Sequence, residues 1–403
     1  MTKKITLLYI VLDGAADGIK DDTSLALANT PNMDEVSKLS IGGMHYPVGV
    51  GVAPESDTAV LNLLGYDHNK YHVGRGVLEA LGVGLTLDRE HEVAFRGNLA
   101  TADFSKGLII DRRVGRKIST REAKALIRDL QYVTLDIYDG YAKVRVGLDY
   151  RVVVVIGSKT HKLSSHVSNT DPAYIRIGDV SVANPKPSNE ILECKPLSND
   201  RDSVITAELV NTFLKIANEH LSKHPLNNLR IRKGLLPANT ILLRDGSMMP
   251  RNIPRFRTMY GLRLGLLADM PTEIGIARLL GIRVIKCPKL KYQGEVDYPV
   301  RAERVLKFLA EEKYDVIYVH LKGPDIYGHD GDKEGKIKSI EEIDRYFISK
   351  ILDNVDFDNT AILITMDHPT PPEARTHTGD PVPFIIFSPN LLRRDGFQRF
   401  SER

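Results

Sequence analysis

Runs rich in Val, Ile and Leu, four to eight residues long, recur along this chain at Ile5–Leu12, Arg151–Ile156, Thr240–Leu243, Val316–Leu321 and Ala361–Met366. A strand with one wet face alternates apolar and polar residues. A run without that alternation reads as a strand covered on both faces. Helical spacing fills the intervals, at Thr120–Leu130, Ser203–Ala217, Thr272–Leu280, Arg301–Glu312 and Ser339–Leu352. Doubly covered strands alternating with helices predict an α/β protein built on a mostly parallel sheet with helices on both faces.

A length of 403 residues predicts two domains, or one domain carrying an insertion. The middle of the chain is richer in Arg and polar residues and holds turns such as Asn184–Pro187. The expected organisation is a discontinuous core, 1–90 with 250–403, and an inserted α/β domain at 91–249.

Composition removes several function classes. Lys plus Arg number 55 against 52 Asp plus Glu, a near-balance that argues against a dedicated nucleic-acid binder. Cys194 and Cys287 stand far apart, outside any Cys-x-x-Cys pattern, so neither a zinc ribbon nor a redox pair is indicated. The apolar run near the N-terminus ends in Asp13-Gly14 rather than at a cleavage site, and no apolar stretch reaches membrane-spanning length. The expectation is a cytoplasmic protein with no membrane partner. The sequence carries no signal for oligomeric state.

In open α/β sheets ligands bind beyond the carboxyl ends of strands. Three of the apolar runs end in carboxylates. Ile5–Leu12 ends at Asp13, and Val316–Leu321 leads to Asp325 and then His329. Ala361–Met366 ends at Asp367-His368, with His377 nine residues on. Each alone reads equally as a turn or capping residue. Together, mixed carboxylate and imidazole donors suit Mn, Zn, Co or Fe better than Mg. Three Asp and three His exceed one closed site and suit two adjacent ions. Ser56 follows an extended segment and precedes the helical stretch from Thr58 to Leu64. It reads either as a helix N-cap or as a nucleophile whose hydroxyl is acidified by a nearby cation. Backbone N–H groups at the helix start would then hold phosphoryl oxygens.

Asp13-Gly14, Glu55–Thr58, Asp325-x-x-x-His329, Asp367-His368 and His377–Pro381 resemble the motifs of the alkaline phosphatase superfamily. Further segments are Tyr71–Ala80, Phe95–Thr101, Asp111–Arg116, Thr170–Pro172, His224-Pro225 and Pro237–Asn239. With these, nearly the whole chain resembles the archaeal-type 2,3-bisphosphoglycerate-independent phosphoglycerate mutases. The resemblance implies an alkaline-phosphatase-like core and two divalent cations, Mn foremost, Co or Zn next and Mg least, with no 2,3-bisphosphoglycerate. It implies one cation on Asp325, His329 and His377, and the other on Asp13, Ser56, Asp367 and His368. It further implies a phosphoryl group passed from 3-phosphoglycerate to Ser56 and returned to the other hydroxyl as 2-phosphoglycerate. Such an enzyme must exclude water while the phosphoserine waits, a task for the inserted domain. The alternative within the superfamily is a metal-dependent phosphomonoesterase or another phosphomutase. Sulfatase chemistry is disfavoured because neither cysteine occupies the nucleophile position.

Asp111–Lys117 holds four cations in seven residues. It reads as a solvated basic face, or as a place where Arg112 and Arg116 grip a carboxylate or phosphate through paired N–H donors. Arg244 is a similar candidate. Asp171 is a candidate for the glycerate hydroxyls, or the first residue of an Asp-Pro turn. The family pattern has Lys before the aromatic-Gly pair that here is Tyr260-Gly261; this chain has Met259, with Arg257 or Arg263 as possible substitutes. Asp330–Glu341 imitates a calcium loop, but Lys336 and Lys338 take two ligand positions, so it reads as a loop leading into a helix.

Overall fold

The computed structural model describes residues 4–390 and 393–402. They divide into two compact units, 4–71 with 254–402, and His72–Ile253. The first is built on a seven-stranded sheet. Its order is Arg283–Val284, Leu264–Leu267, Val316–Leu321, Thr6–Leu12, Thr360–Thr365, Val382–Phe387, Ile41–His45. The first five strands run parallel, and the last two pair antiparallel. Every residue of Val316–Leu321 is buried, as a strand covered on both faces requires. Leu8, Ile10, Leu12, Ile317, Val319, Leu321, Ile362 and Ile364 share one core with Ala302, Val305, Ile340, Ile343 and Phe347 from the helices.

Register does most of the site's positioning. Leu12 pairs with Leu321, and Val11 pairs with Thr365. Extending those ladders by a residue or two brings Asp13, Lys322 and Asp367 to one level beyond the carboxyl edge. The Asp13 N–H still donates to Leu321 O at 3.0 Å. The expected helix Ser339–Leu352 is the later part of a helical run from Lys333, which contains one π turn at Asp344–Ile348.

The second unit corrects part of the sequence expectation. Arg151–Ser158 and Thr240–Ser247 belong to a six-stranded antiparallel sheet, each paired with Glu92–Asp103. A buried apolar run does not reveal the direction of its neighbour; the connection does. Four residues, Gly147 to Tyr150, join Gly140–Val146 to Arg151–Ser158, too few for a parallel crossover. The helix Arg201–Lys223 buries Ile205, Leu209, Val210, Phe213 and Ala217 against this sheet. The unit begins at His72 rather than at 91. The helix Arg75–Gly82 packs on Glu92–Asp103, and a Cβ at Gly76 would lie 2.2 Å from Ala94 O.

Candidate active site

Beyond the carboxyl edge of the first unit's sheet, six of the seven expected donors form a continuous cluster with Ser56 at its rim. Three histidines are oriented in the same way. Carbonyl oxygens accept from the Nδ1–H of His377 (Pro54 O, 2.6 Å) and of His329 (Arg375 O, 3.0 Å). The Thr370 hydroxyl gives its proton to Asp325 Oδ1 at 2.8 Å, so at 3.0 Å it accepts from His368 Nδ1–H. Each ring therefore turns Nε2 inward, the tautomer a cation ligand needs.

One group of inward atoms is Asp325 Oδ1, His329 Nε2 and His377 Nε2, separated by 3.5, 3.5 and 3.2 Å. The other is Asp13 Oδ1, Asp367 Oδ2 and His368 Nε2, with His368 at 3.6 Å from the first and 3.3 Å from the second. Ser56 Oγ lies 3.5 Å from the same His368 nitrogen, and the His368 ring stacks on His377 at 3.7 Å. Donor atoms bound at about 2.1 Å to one tetrahedral ion stand about 3.4 Å apart. Asp13 Oδ1 and Asp367 Oδ2 are buried and have no hydrogen-bond partner among the described residues. Buried carboxylate oxygens left bare at this spacing fit a divalent cation.

The chain makes room for this convergence at Gly14. Its N–H donates to Asp367 Oδ1 at 3.0 Å, its φ is 59°, and a Cβ there would lie 2.8 Å from Asp325 Oδ1. Ser56 is the first residue of the helix Ser56–Leu63, whose cap is Glu55. Burial lowers the His368 pKa and keeps the ring neutral. Burial also lowers that of His377, but Asp325 outweighs it and lifts the group to about 9. Burial opposes the ionised form of Asp13, yet Lys322 and His320 hold it well below the usual carboxylate range.

The family model described as 2,3-bisphosphoglycerate-independent phosphoglycerate mutase matches residues 37–227. A protein of that name from Aeropyrum pernix is 41% identical over 98% of this chain and 93% of its own length. One from Archaeoglobus fulgidus is 37% identical over 98% and 92%. The chain belongs to the 2,3-bisphosphoglycerate-independent phosphoglycerate mutase family. Among solved structures, the PH0037 protein of Pyrococcus horikoshii has a TM-score of 0.77 at 29% identity, covering all of this chain and 92% of that one. The cofactor-independent phosphoglycerate mutase of Thermoplasma acidophilum has a TM-score of 0.64 at 27% identity, covering 98% and 93%.

The other candidates lie in the second unit. Arg112 forks onto the buried Asp171 at 2.7 and 2.6 Å. Arg244 reaches Asp171 at 3.3 Å, and both guanidinium groups lie over the Tyr174 ring. Asp171 also accepts from Ala173 N at 3.2 Å, as the turn reading expects, while its carboxylate is taken up by the two arginines. Arg116 is exposed; it lines an open concavity with Asp111, Arg112 and Arg113. The calcium-loop imitation is helical from Lys333 onward, capped by Asp332, and buries Lys336 on Asp17.

Sequence reasoning for this mutase-family chain missed four residues that the structure places at the donor cluster: His320, Lys322, Glu273 and Thr370. Lys322 Nζ lies 3.0 Å from Asp13 Oδ2 and 2.8 Å from Glu273 Oε1. Burial opposes its charge, but Asp13 and Glu273 raise its pKa well above the ordinary range. Arg263, offered as a substitute for the family lysine, instead forks onto Asp315 at 3.0 and 3.2 Å. Asp315 precedes Val316–Leu321, at the end of the sheet opposite Lys322. Lys322 was findable, because it directly follows a strand already singled out. Glu273 in the first turn of Pro271–Leu279 has the signature of an ordinary helix start.

Proposed function

We propose that this chain interconverts 3-phosphoglycerate and 2-phosphoglycerate, carrying the phosphoryl group on Ser56 at a site for two divalent cations. The observation that carries this reading is Ser56 Oγ at 3.5 Å from His368 Nε2, on the rim of two adjacent donor groups, in a chain that matches its curated relatives along nearly its full length. Asp325, His329 and His377 would hold one cation. Asp13, Asp367, His368 and Ser56 would hold the other. When bound, the ions would favour the ionised serine hydroxyl and offset charge on the moving phosphoryl group. Mn is our first expectation and Co or Zn the next; 2,3-bisphosphoglycerate is not required.

Within this scheme Ser56 receives the phosphoryl group, and backbone N–H groups at the start of Ser56–Leu63 hold its oxygens. Lys322 fixes the Asp13 carboxylate. Arg112, Arg244, Asp171 and Arg116 are the second unit's candidates for contact with the glycerate. The glycerate must stay bound while it reorients, or the outcome is hydrolysis. We place the enzyme in the cytoplasm; among the described residues no helix is long and apolar enough to cross a membrane. A coupled assay that scores 2-phosphoglycerate against free phosphate, starting from 3-phosphoglycerate and Mn-loaded protein, tests the reading. The mutase product should dominate. Free phosphate as the main product would make the chain a phosphomonoesterase.

A further inference from the structure

His320 belongs to no ligand set implied by the family resemblance, yet it sits inside the second donor group. It is the penultimate residue of Val316–Leu321 and pairs with Val11, two residues before Asp13. The ring is wholly buried, and both nitrogens lack a hydrogen-bond partner among the described residues. Nε2 lies 3.6 Å from Asp13 Oδ1 and 3.2 Å from Asp367 Oδ2. His368 Nε2 stands at 3.6 and 3.3 Å from the same two oxygens. The two imidazoles thus address one pair of carboxylate oxygens in the same way, at spacings that bracket the edge of about 3.4 Å for a tetrahedral ion. His320 Nδ1 faces Glu273 Oε1 at 3.5 Å, so a carboxylate stands behind the ring on the side where an oxygen commonly orients a metal-bound histidine.

We propose that His320 is a direct ligand of the inner cation, completing a set with Asp13, Asp367 and His368. With Ser56 Oγ 3.5 Å from His368 Nε2, the inner ion would then have five donors. The proposal rests on the reading that the site holds divalent cations. The rival arrangement is an imidazolium that donates to Asp13 and Asp367 and never meets the metal.

The full chain loaded with Co(II) separates the two. Each cobalt-bound imidazole contributes one hyperfine-shifted N–H proton resonance from its other nitrogen. Four are expected, from His320, His329, His368 and His377; three, with the His320 signal absent, would overturn the proposal. This count needs no variant and so survives any folding defect in one. In His320→Asn, cobalt bound under chelator competition should fall from two equivalents to one, with the inner-ion affinity weakened by more than about 100-fold, beyond the range of a residue that only orients a ligand. A smaller loss in a normally folded variant would overturn the proposal. Wild-type protein that binds no cobalt would remove the two-cation reading itself, a failure distinguishable from that of His320 alone.

Discussion

Ser56 and Lys322 make the strongest demands on the account at the level of single side chains. Ser56→Ala should abolish formation of 2-phosphoglycerate in the coupled assay. It should change the unfolding free energy of metal-free protein by no more than about 0.5 kcal/mol, since a half-buried hydroxyl is all that is lost. Activity within tenfold of wild type, at about 10%, would remove Ser56 as the nucleophile. Lys322→Met should lower stability in urea by about 3–5 kcal/mol, because Asp13 and Glu273 would be left buried without their cation. An unchanged midpoint would mean that the ion pair contributes nothing. Asp13, Asp325, His329, Asp367 and His368 stood out as candidates because each follows an apolar run or a helix start within a few residues; His377, nine residues beyond His368, rested on the motif resemblance. His320 was not read, although it lies in such a run. A histidine inside a strand carries no sign of which way its ring faces until the register against Thr6–Leu12 is known. Glu273 comes from a helix whose pattern speaks only of packing. The Arg112–Asp171 pair joins residues 59 positions apart, beyond the reach of any spacing argument.

Secondary structure was legible in kind but not in partnership. The same buried apolar signature marks Val316–Leu321 in the parallel sheet and Arg151–Ser158 in the antiparallel one; only the length of the connection separates them. Helix ends are a local matter and allow a sharper test. Asp200 caps Arg201–Lys223 by accepting from Ser203 N at 2.8 Å. Hydrogen bonds from Ser198 and Ser203 hold its pKa at about 2. Asp200→Ala should cost about 1 kcal/mol at pH 7. A carboxyl whose folded pKa is depressed contributes fully above its unfolded value, near about 3.9, and loses that contribution as pH falls. The stability difference between wild type and variant, followed by urea unfolding, should therefore shrink between pH 4 and pH 2. A difference constant over that window would show that the carboxylate is not what stabilises the cap.

On the scale of the whole chain, the discontinuity of the first unit is the central fact: residues from both ends supply its sheet, and the carboxyl edge of that sheet gathers Asp13, Ser56, Asp325 and Asp367 from across the sequence. A cluster of buried carboxylates and imidazoles with bare inward atoms should depend on its cations. Chelation should abolish activity and lower the thermal midpoint, and Mn, Co or Zn should restore both. A midpoint indifferent to chelator would argue that the donors are satisfied without metal. Phosphoryl transfer through Ser56 is open to direct detection. Metal-loaded protein mixed with 3-phosphoglycerate and quenched in acid should yield, on digestion and mass spectrometry, a phosphoryl group on the peptide containing Ser56, absent from Ser56→Ala. A fully active sample that shows no phosphorylation at Ser56, or shows it on another residue, would contradict the proposed route.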